Sequence, residues 1–325
     1  MSLHINDLTV RFDGKAAVSG LALEIASGEQ FAVMGPSGSG KSTLLRFIAG
    51  LTSAQSGTLI IDGDDMAAVQ AHRRPVGLMF QDYALFPHMN VAENVGYGLR
   101  MAGVPSEERR IRSNELLDLV GLTGFGDRRP LTLSGGEQQR VALARTLAPG
   151  PSVILFDEPL GSLDISLRES LLSEIRSILD TVGATSIYVT HDSAEAFAFC
   201  DRMAVMHGGA ILRVGTPTDI WHAPGSEFVA RAIGQSNLVP IRIIVPDARG
   251  LAFVPLEACR VHDGGRIKGT VVALKFQDGT HVAIVRTMKG SATIEARTPH
   301  AVQVGSVISF DIDEDQVIAV SADEI

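Results

Sequence analysis

The chain has 325 residues, 45% of them hydrophobic and 20% charged, with a net charge of −9. That length allows two domains with buried cores, and the acidic balance argues against a nucleic-acid-binding surface, which needs a basic face. Cys200 and Cys259 are the only cysteines, so neither a disulfide framework nor a thiolate zinc site is suggested; both read as ordinary buried or half-buried thiols.

Residues 1–7 lack the basic and apolar blocks of a secretory signal. No apolar run approaches the ~20 residues that cross a bilayer as a helix. A cytoplasmic chain is expected, with any membrane attachment made through a partner. Strand-like alternation covers residues 3–10, 21–25 and 31–34, separated by Asp13-Gly14 and Ser27-Gly28-Glu29 turns. The last run enters Gly35-Pro36-Ser37-Gly38-Ser39-Gly40-Lys41-Ser42-Thr43, which fits G-x-x-x-x-G-K-[ST], and a helical stretch follows over 43–49. A loop that binds triphosphate needs inward-pointing backbone N–H groups, and glycines give the dihedrals and remove obstructing side chains. The helix behind it presents partial positive charge. Lys41 is expected to reach the terminal phosphates and Ser42 to ligate Mg²⁺. A glycine-rich turn between any strand and helix is the bland alternative; agreement at every position in a strand–loop–helix context favours nucleotide binding.

Residues 57–63 and 76–80 read as further strands, the second leading to Gln81. From about 90 to 150 the period turns helical. Residues 106–122 carry Ile111, Leu116, Leu117, Leu119 and Val120 on one predicted face, and a second helix spans 134–148 before Pro149-Gly150-Pro151. Residues 153–156 form a continuous apolar run ending in Asp157-Glu158, as a buried parallel strand delivers acids at its C-terminal end. Asp157 fits a Mg²⁺-holding carboxylate and Glu158 a general base for water; without the upstream loop, the pair could equally cap the next element. Strands and helices alternate to residue 209. Beyond Gly234 the runs 271–274, 281–285 and 307–310, with turns at Asp263-Gly264-Gly265 and Gln277-Asp278-Gly279, predict a separate small all-β domain with its boundary near 235–240.

Leu133-Ser134-Gly135-Gly136-Glu137-Gln138-Gln139-Arg140 opens another helix with a capping serine and two glycines, a second anion-seeking terminus. One nucleotide does not need two cradles from one chain, so a head-to-tail dimer is the economical arrangement. A merely N-capped helix explains Ser134 but not the sequel.

With the phosphate loop, Gln81, residues 133–140, Asp157-Glu158, Ser162-Leu163-Asp164 and His191 in this order, nearly all of the chain resembles the ATP-binding subunits of ABC transporters. The resemblance implies an α/β P-loop NTPase of ABC type at 1–235 with a helical subdomain at about 88–150, followed by a small all-β, OB-like regulatory domain at 240–325. It implies that Gln81 contacts Mg²⁺ or the attacking water, that Asp164 communicates across the dimer, and that His191 touches the γ-phosphate. Phe12 stands where the family stacks an aromatic on adenine, and Glu137 replaces a frequent glutamine. Two chains then sandwich two ATP–Mg²⁺. Each site takes Phe12, residues 35–43, Gln81, Asp157, Glu158 and His191 from one chain and Ser134, Gly135, Gly136 and Glu137 from the other. Partners by resemblance are two membrane permease subunits, docking near residues 81–87 with Tyr83, Leu85 and Phe86, and indirectly an extracytoplasmic solute-binding protein. The location implied is the cytoplasmic face of the cell membrane.

The β-rich tail resembles that of importers. Gly269-Thr270-Val271-Val272 and residues 299–305 match its pattern, while Phe253-Val254-Pro255-Leu256-Glu257 departs from the usual Arg-Pro-Glu. Residues 73–77 and 82–88 lean toward iron(III), thiamine and polyamine importers. A soluble ABC ATPase acting on nucleic acid is the rival reading, and an exporter ATPase a third. A single cassette, no sustained heptads and negative charge count against the nucleic-acid reading.

Overall fold

The computed structural model describes residues 2–161, 165–245, 248–277, 279–288, 292–298, 300 and 302–320. It divides into two compact units, Met1–Pro217 and Thr218–Ile325.

The first unit opens with β1 (Ser2–Phe12) and β2 (Lys15–Ala26), whose alternating Leu3, Ile5, Leu8, Val10, Leu21, Leu23 and Ile25 point inward. With β4 (Ser56–Ile61) and β5 (Asp64–Asp65) they form an antiparallel sheet in the order β2-β1-β4-β5. A second sheet is built from β3 (Gln30–Met34), β6 (Val76–Met79), β7 (Val153–Asp157), β8 (Thr185–Thr190), β9 (Arg202–His207) and β10 (Ala210–Gly215). Its order is β10-β9-β3-β8-β7-β6, parallel throughout except for the edge pair β9–β10. β7 reads as unbroken Val-Ile-Leu-Phe because it lies between two parallel neighbours with both faces covered. α1 (Lys41–Ile48) contributes Leu44, Leu45, Phe47 and Ile48 to the core shared with both sheets.

This topology fixes where chemistry can occur. β3, β8, β7 and β6 are consecutive neighbours, and their C-terminal ends lead into Gly35, His191, Glu158 and Gln81. Residues scattered over more than 150 positions are thereby set along one edge, where open parallel sheets bind ligands.

The helical segment comprises α2 (Val91–Val95), α3 (Tyr97–Met101), α4 (Ser106–Leu119) and α5 (Gly135–Leu147). α4 departs from its predicted face: Ser113, Leu116, Leu117 and Val120 form the buried row, while Ile111 is 47% exposed. The i, i+3, i+4, i+7 spacing starting at Ser113 excludes Ile111, and Ser113 earns its buried place as the small residue opposite Gly96, where its Oγ would lie 3.0 Å from a Cβ. α6 (Ile165–Val182) and α7 (Ser193–Phe199) complete the first unit.

α8 (Pro217–His222) and α9 (Glu227–Ala232) lead into the second unit. The division at 217/218 precedes the predicted 235–240 boundary because Trp221 and Ala230 pack with Phe253 and Val320, Trp221 edge-on to Phe253 at 5.7 Å. β11 (Leu238–Pro240), β12 (Leu251–Phe253) and β18 (Ile318–Val320) form one antiparallel sheet in the order β11-β12-β18. β13 (Cys259–Val261), β14 (Ile267–Gln277), β15 (Thr280–Thr287), β16 (Thr293–Thr298) and β17 (Val307–Ile312) form the other, in the order β13-β17-β14-β15-β16. Its edges β13 and β16 approach each other, so the sheet curls around Val271, Val285, Ile294 and Phe310. Burial pushes the thiols of Cys200 and Cys259 up to about 12. Among the described residues no helix is long and apolar enough to cross a membrane.

Candidate nucleotide site

β3 ends at Met34, and the loop Gly35–Gly40 turns into α1. Gly35 and Gly40 are demanded by neighbouring backbone rather than by open space for a ligand. A Cβ on Gly35 would stand 2.3 Å from the Met206 carbonyl oxygen, and one on Gly40 would stand 2.4 Å from that of Ala17. Gly40 also has φ +104°, disfavoured for any residue with a Cβ. Around Gly38, which was expected to open the way for phosphate, nothing lies within 4 Å. Pro36, Ser37 and Gly38 form the exposed rim. The β9–β10 turn braces the loop, with Gly209 N–H donating to the Ser39 carbonyl at 3.1 Å. The Ser39 hydroxyl is buried without a hydrogen-bond partner among the described residues. α1 has no side-chain cap and no acid in its first turn, so its leading N–H groups remain available to an anion.

The Lys41 ammonium, 4% exposed, donates to the carbonyls of Gly35 at 2.7 Å and Pro36 at 3.0 Å and lies 4.0 Å from Glu158. Burial lowers its pKa, opposed by the charges of Glu158 and Asp157. The Ser42 hydroxyl donates to Asp157 Oδ1 at 2.9 Å. Two oxygen ligands predicted from motifs 115 positions apart are thus adjacent. Among the described residues no group of three His, Cys, Asp or Glu side chains could hold an ion. A hydroxyl and one carboxylate beside a phosphate cradle nevertheless suit Mg²⁺, which is commonly bound by one or two carboxylates together with substrate phosphates.

Glu158 has φ +47°, strained for a residue with a side chain, and its N–H is held by the Val189 carbonyl at 3.1 Å. Its Oε2 lies 3.1 Å from His191 Nδ1. The Gln81 Nε2 lies 3.3 Å from where a Cβ on Gly161 would stand, which sets it beside the segment following Glu158. Phe12 is 50% exposed at the end of β1, and β2 of the same hairpin meets the loop at Ala17. Asp164 lies outside the described residues.

Ser134 caps α5, whose first turn holds Gly135 and Gly136. Glu137 closes a capping box: its Oε2 accepts from the Ser134 N–H at 2.7 Å and from the Ser134 hydroxyl at 2.8 Å. Those two donors hold the Glu137 carboxyl below its ordinary pKa.

Three supporting residues escaped the motif reading. Arg74 donates to the carbonyls of Phe47 and Ile48 at the end of α1, and to those of Met66 and Val69, placing a cation at the negative end of the helix dipole. Buried Glu195 accepts from the hydroxyls of Thr190 at 2.6 Å and Tyr188 at 3.1 Å, bracing the strand that ends at His191. Arg145 is the third. Arg145 and Glu195 show in the sequence only as charges among largely apolar neighbours, and Arg74 only as part of the run Arg73-Arg74-Pro75; none of these names a partner.

A cavity of about 440 Å³ is lined by Leu78, Phe80, Ala84, Phe86, Tyr97 and Pro149, among others. The apolar cluster of Tyr83, Leu85 and Phe86, expected near the docking segment, is only partly at the surface. Tyr83 is only 6% exposed, because a left-handed turn points it inward, whereas Phe80 is 41% exposed.

Fold and site together define a P-loop ATPase. A family model described as "ABC transporter" matches residues 18–161. An Fe(3+) ions import ATP-binding protein (FbpC) of Streptomyces coelicolor is 43% identical over 97% of this chain and 96% of its own length. A spermidine/putrescine import ATP-binding protein (PotA) of Frankia alni is 48% identical over 75% of this chain and 52% of its own. Among solved structures, a dimeric ATP-binding cassette in a post-hydrolysis state with ADP and Pi matches with TM-score 0.58 and 31% identity, over 66% of this chain and 98% of that one. The chain belongs to the ABC transporter family of ATP-binding proteins, as an ATPase of the importer type.

Proposed function

We propose that the chain powers uptake of a solute, with iron(III) as the first candidate and polyamine or thiamine as the others. Two copies would hold two ATP at their interface, dock on two membrane permease subunits at the cytoplasmic face, and respond through them to a loaded extracytoplasmic binding protein. The observation that carries the reading is the contiguous set Lys41, Ser42–Asp157 and Glu158–His191 on one sheet edge. The whole-length similarity to an iron importer subunit, second unit included, supports the cargo.

In the proposed reaction, water oxygen attacks the γ-phosphorus, the bond to the β–γ bridging oxygen breaks, and ADP departs. Glu158 accepts the water proton, and the hydrogen bond to His191 orients its carboxylate. Lys41 gives up its loop carbonyls for phosphate oxygens, in a pocket where burial strengthens its field. Ser42, Asp157 and Gln81 would hold Mg²⁺, which when bound supplies further neutralisation of phosphate charge. Ser134, Gly135 and Gly136 of the second copy would contact the γ-phosphate, so that ATP favours the closed dimer and hydrolysis releases it. Phe12 would stack on adenine.

The apolar groove with Phe80 and Phe86 offers a seat for a permease segment. The test is co-purification with a permease encoded beside this chain, followed by ATPase assay with iron-, polyamine- or thiamine-loaded binding proteins. Stimulation by one cargo is expected, while Phe80→Glu abolishes co-purification and leaves basal hydrolysis intact. Absence of stimulation by any candidate would remove iron(III), polyamine and thiamine as the cargo.

A further inference from the structure

We propose that Arg145 is a positioning residue that holds the Tyr83–Ala84 turn in a left-handed form, and so ties the placement of Gln81 to helix α5. The inference rests on the role given above to Gln81.

Tyr83 and Ala84 are consecutive residues with φ of +58° and +45°. L-residues with a Cβ visit this region reluctantly and seldom in pairs, so surroundings must impose it. The turn's own bonds, Tyr83 N–H to the Phe80 carbonyl at 3.1 Å and Ala84 N–H to that of Asp82 at 2.7 Å, tighten the chain without requiring two such residues. The additional constraint comes from α5. Arg145 Nη2 donates to the Tyr83 carbonyl at 2.6 Å and Nη1 to the Ala84 carbonyl at 2.7 Å, while its guanidinium carbon lies 5.5 Å from the centre of the Phe86 ring. In an extended chain successive carbonyls point to opposite sides; here both turn to one planar fork. Only a guanidinium offers two rigid, parallel donors for that pair.

The next residues are fixed to the same helical segment. Fully buried Asn94 on α2 accepts from the Phe86 N–H at 2.8 Å and donates to the Phe86 carbonyl at 3.1 Å. The chain from Ala84 onward therefore belongs to the helices, whereas Met79 at the end of β6 belongs to the sheet through its pairing with Phe156. Gln81 lies in the short stretch between them, and the strained pair is its hinge. Arg145 occupies the last turn of α5, whose first turn carries Gly135 and Gly136. One rigid helix thus joins the second phosphate cradle to the loop that sets Gln81, and groove residues Ala84 and Phe86 belong to the clamped segment.

The test uses steady-state hydrolysis by the purified full chain. Arg145→Lys keeps the charge but loses the fork; kcat is expected to fall about tenfold, with the KM for ATP changed less than about twofold and Tm nearly unchanged. Ala84→Gly, at an exposed position where glycine adopts positive φ freely, should recover at least about half of the lost kcat in the Arg145→Lys background. Gln81→Ala is the reference variant. A wild-type kcat for Arg145→Lys beside an impaired Gln81→Ala would overturn the proposal alone. So would a loss in Arg145→Lys that follows Tm and KM and is not rescued by Ala84→Gly. A wild-type kcat for Gln81→Ala would overturn the underlying reading as well.

Discussion

Helices α1 and α5 both begin at glycine-rich segments, yet their first turns are satisfied in opposite ways. At α1 the N-cap is Gly40, with no side-chain cap and no acid, and the nearest cation is the buried Lys41 ammonium. At α5 the N-cap is Ser134, and Glu137 takes up both its N–H and its hydroxyl. The first terminus keeps its leading N–H groups free of any side-chain acceptor. At the second, the Ser134 N–H and hydroxyl are already taken up by the Glu137 carboxylate, which an anion approaching Ser134 would have to displace. The contrast teaches that a glycine-rich helix start is not sufficient for anion binding; what already occupies the N–H groups decides. In the dimer reading, it also explains how a single copy could hold ATP while closure waits for the partner.

The strongest way to break the comparison is at the α1 side. Glu158→Gln keeps the shape while removing the base, and kcat is expected to fall about 10³-fold with ATP still bound and the closed dimer accumulating; unchanged turnover in a steady-state assay would remove Glu158 from that role. Ser134→Arg comes next. It should abolish hydrolysis while leaving the affinity of a single copy for ATP within about twofold, since that cradle serves the opposite chain. Equilibrium binding at concentrations below dimerisation decides the matter, and a lost single-copy affinity would contradict the assignment.

Phe12→Ala tests the rim. Loss of one stacking partner worth about 1 kcal/mol raises the KM for ATP about fivefold with little change in kcat, and unchanged KM would leave Phe12 as a strand end. Glu137→Gln has the smallest expected effect and sharpens the contrast most directly. Removing the carboxylate weakens the cap but frees Ser134 from an anion, so ATP-driven dimerisation should tighten by a few-fold as Tm drops slightly. The pH dependence follows from the direction of the Glu137 shift, caused first by the Ser134 N–H and then by its hydroxyl. A carboxylate held below its unfolded pKa stabilises fully above that unfolded value, and its contribution is lost as pH falls through the folded one. The wild-type and Glu137→Gln chains should therefore converge in stability on the acid side, as thermal unfolding across that range would reveal.

Much of the cassette was legible because its signals are local. The loop 35–43, the acids after 153–156 and the helix start at 134 each declare themselves within ten residues. The α/β alternation and the β-rich tail were legible from periodicity. Ile111 was misplaced because one added apolar residue cannot shift a helix whose buried row is set by Ser113, Leu116, Leu117 and Val120. The inward turn of Tyr83 could not be read, because its aromatic character says nothing about a positive φ. In the sequence α8 and α9 look like the preceding helices, and only the tertiary structure shows Trp221 packed against Phe253. Glu137 was visible as a departure from pattern, but its reciprocal bonds with Ser134 needed coordinates.

By itself, then, the sequence determined the glycine loop, the capped helix start and the apolar strands, since backbone conformation, helix capping and apolar runs depend on near neighbours. The tertiary structure alone decided which of them meet one another: Ser42 with Asp157, Glu158 with His191, Arg145 with the Tyr83–Ala84 turn. Those pairings depend on the order of strands in a sheet and on where a helix ends against a loop. Both follow from burying the whole core at once, which no local window of residues contains.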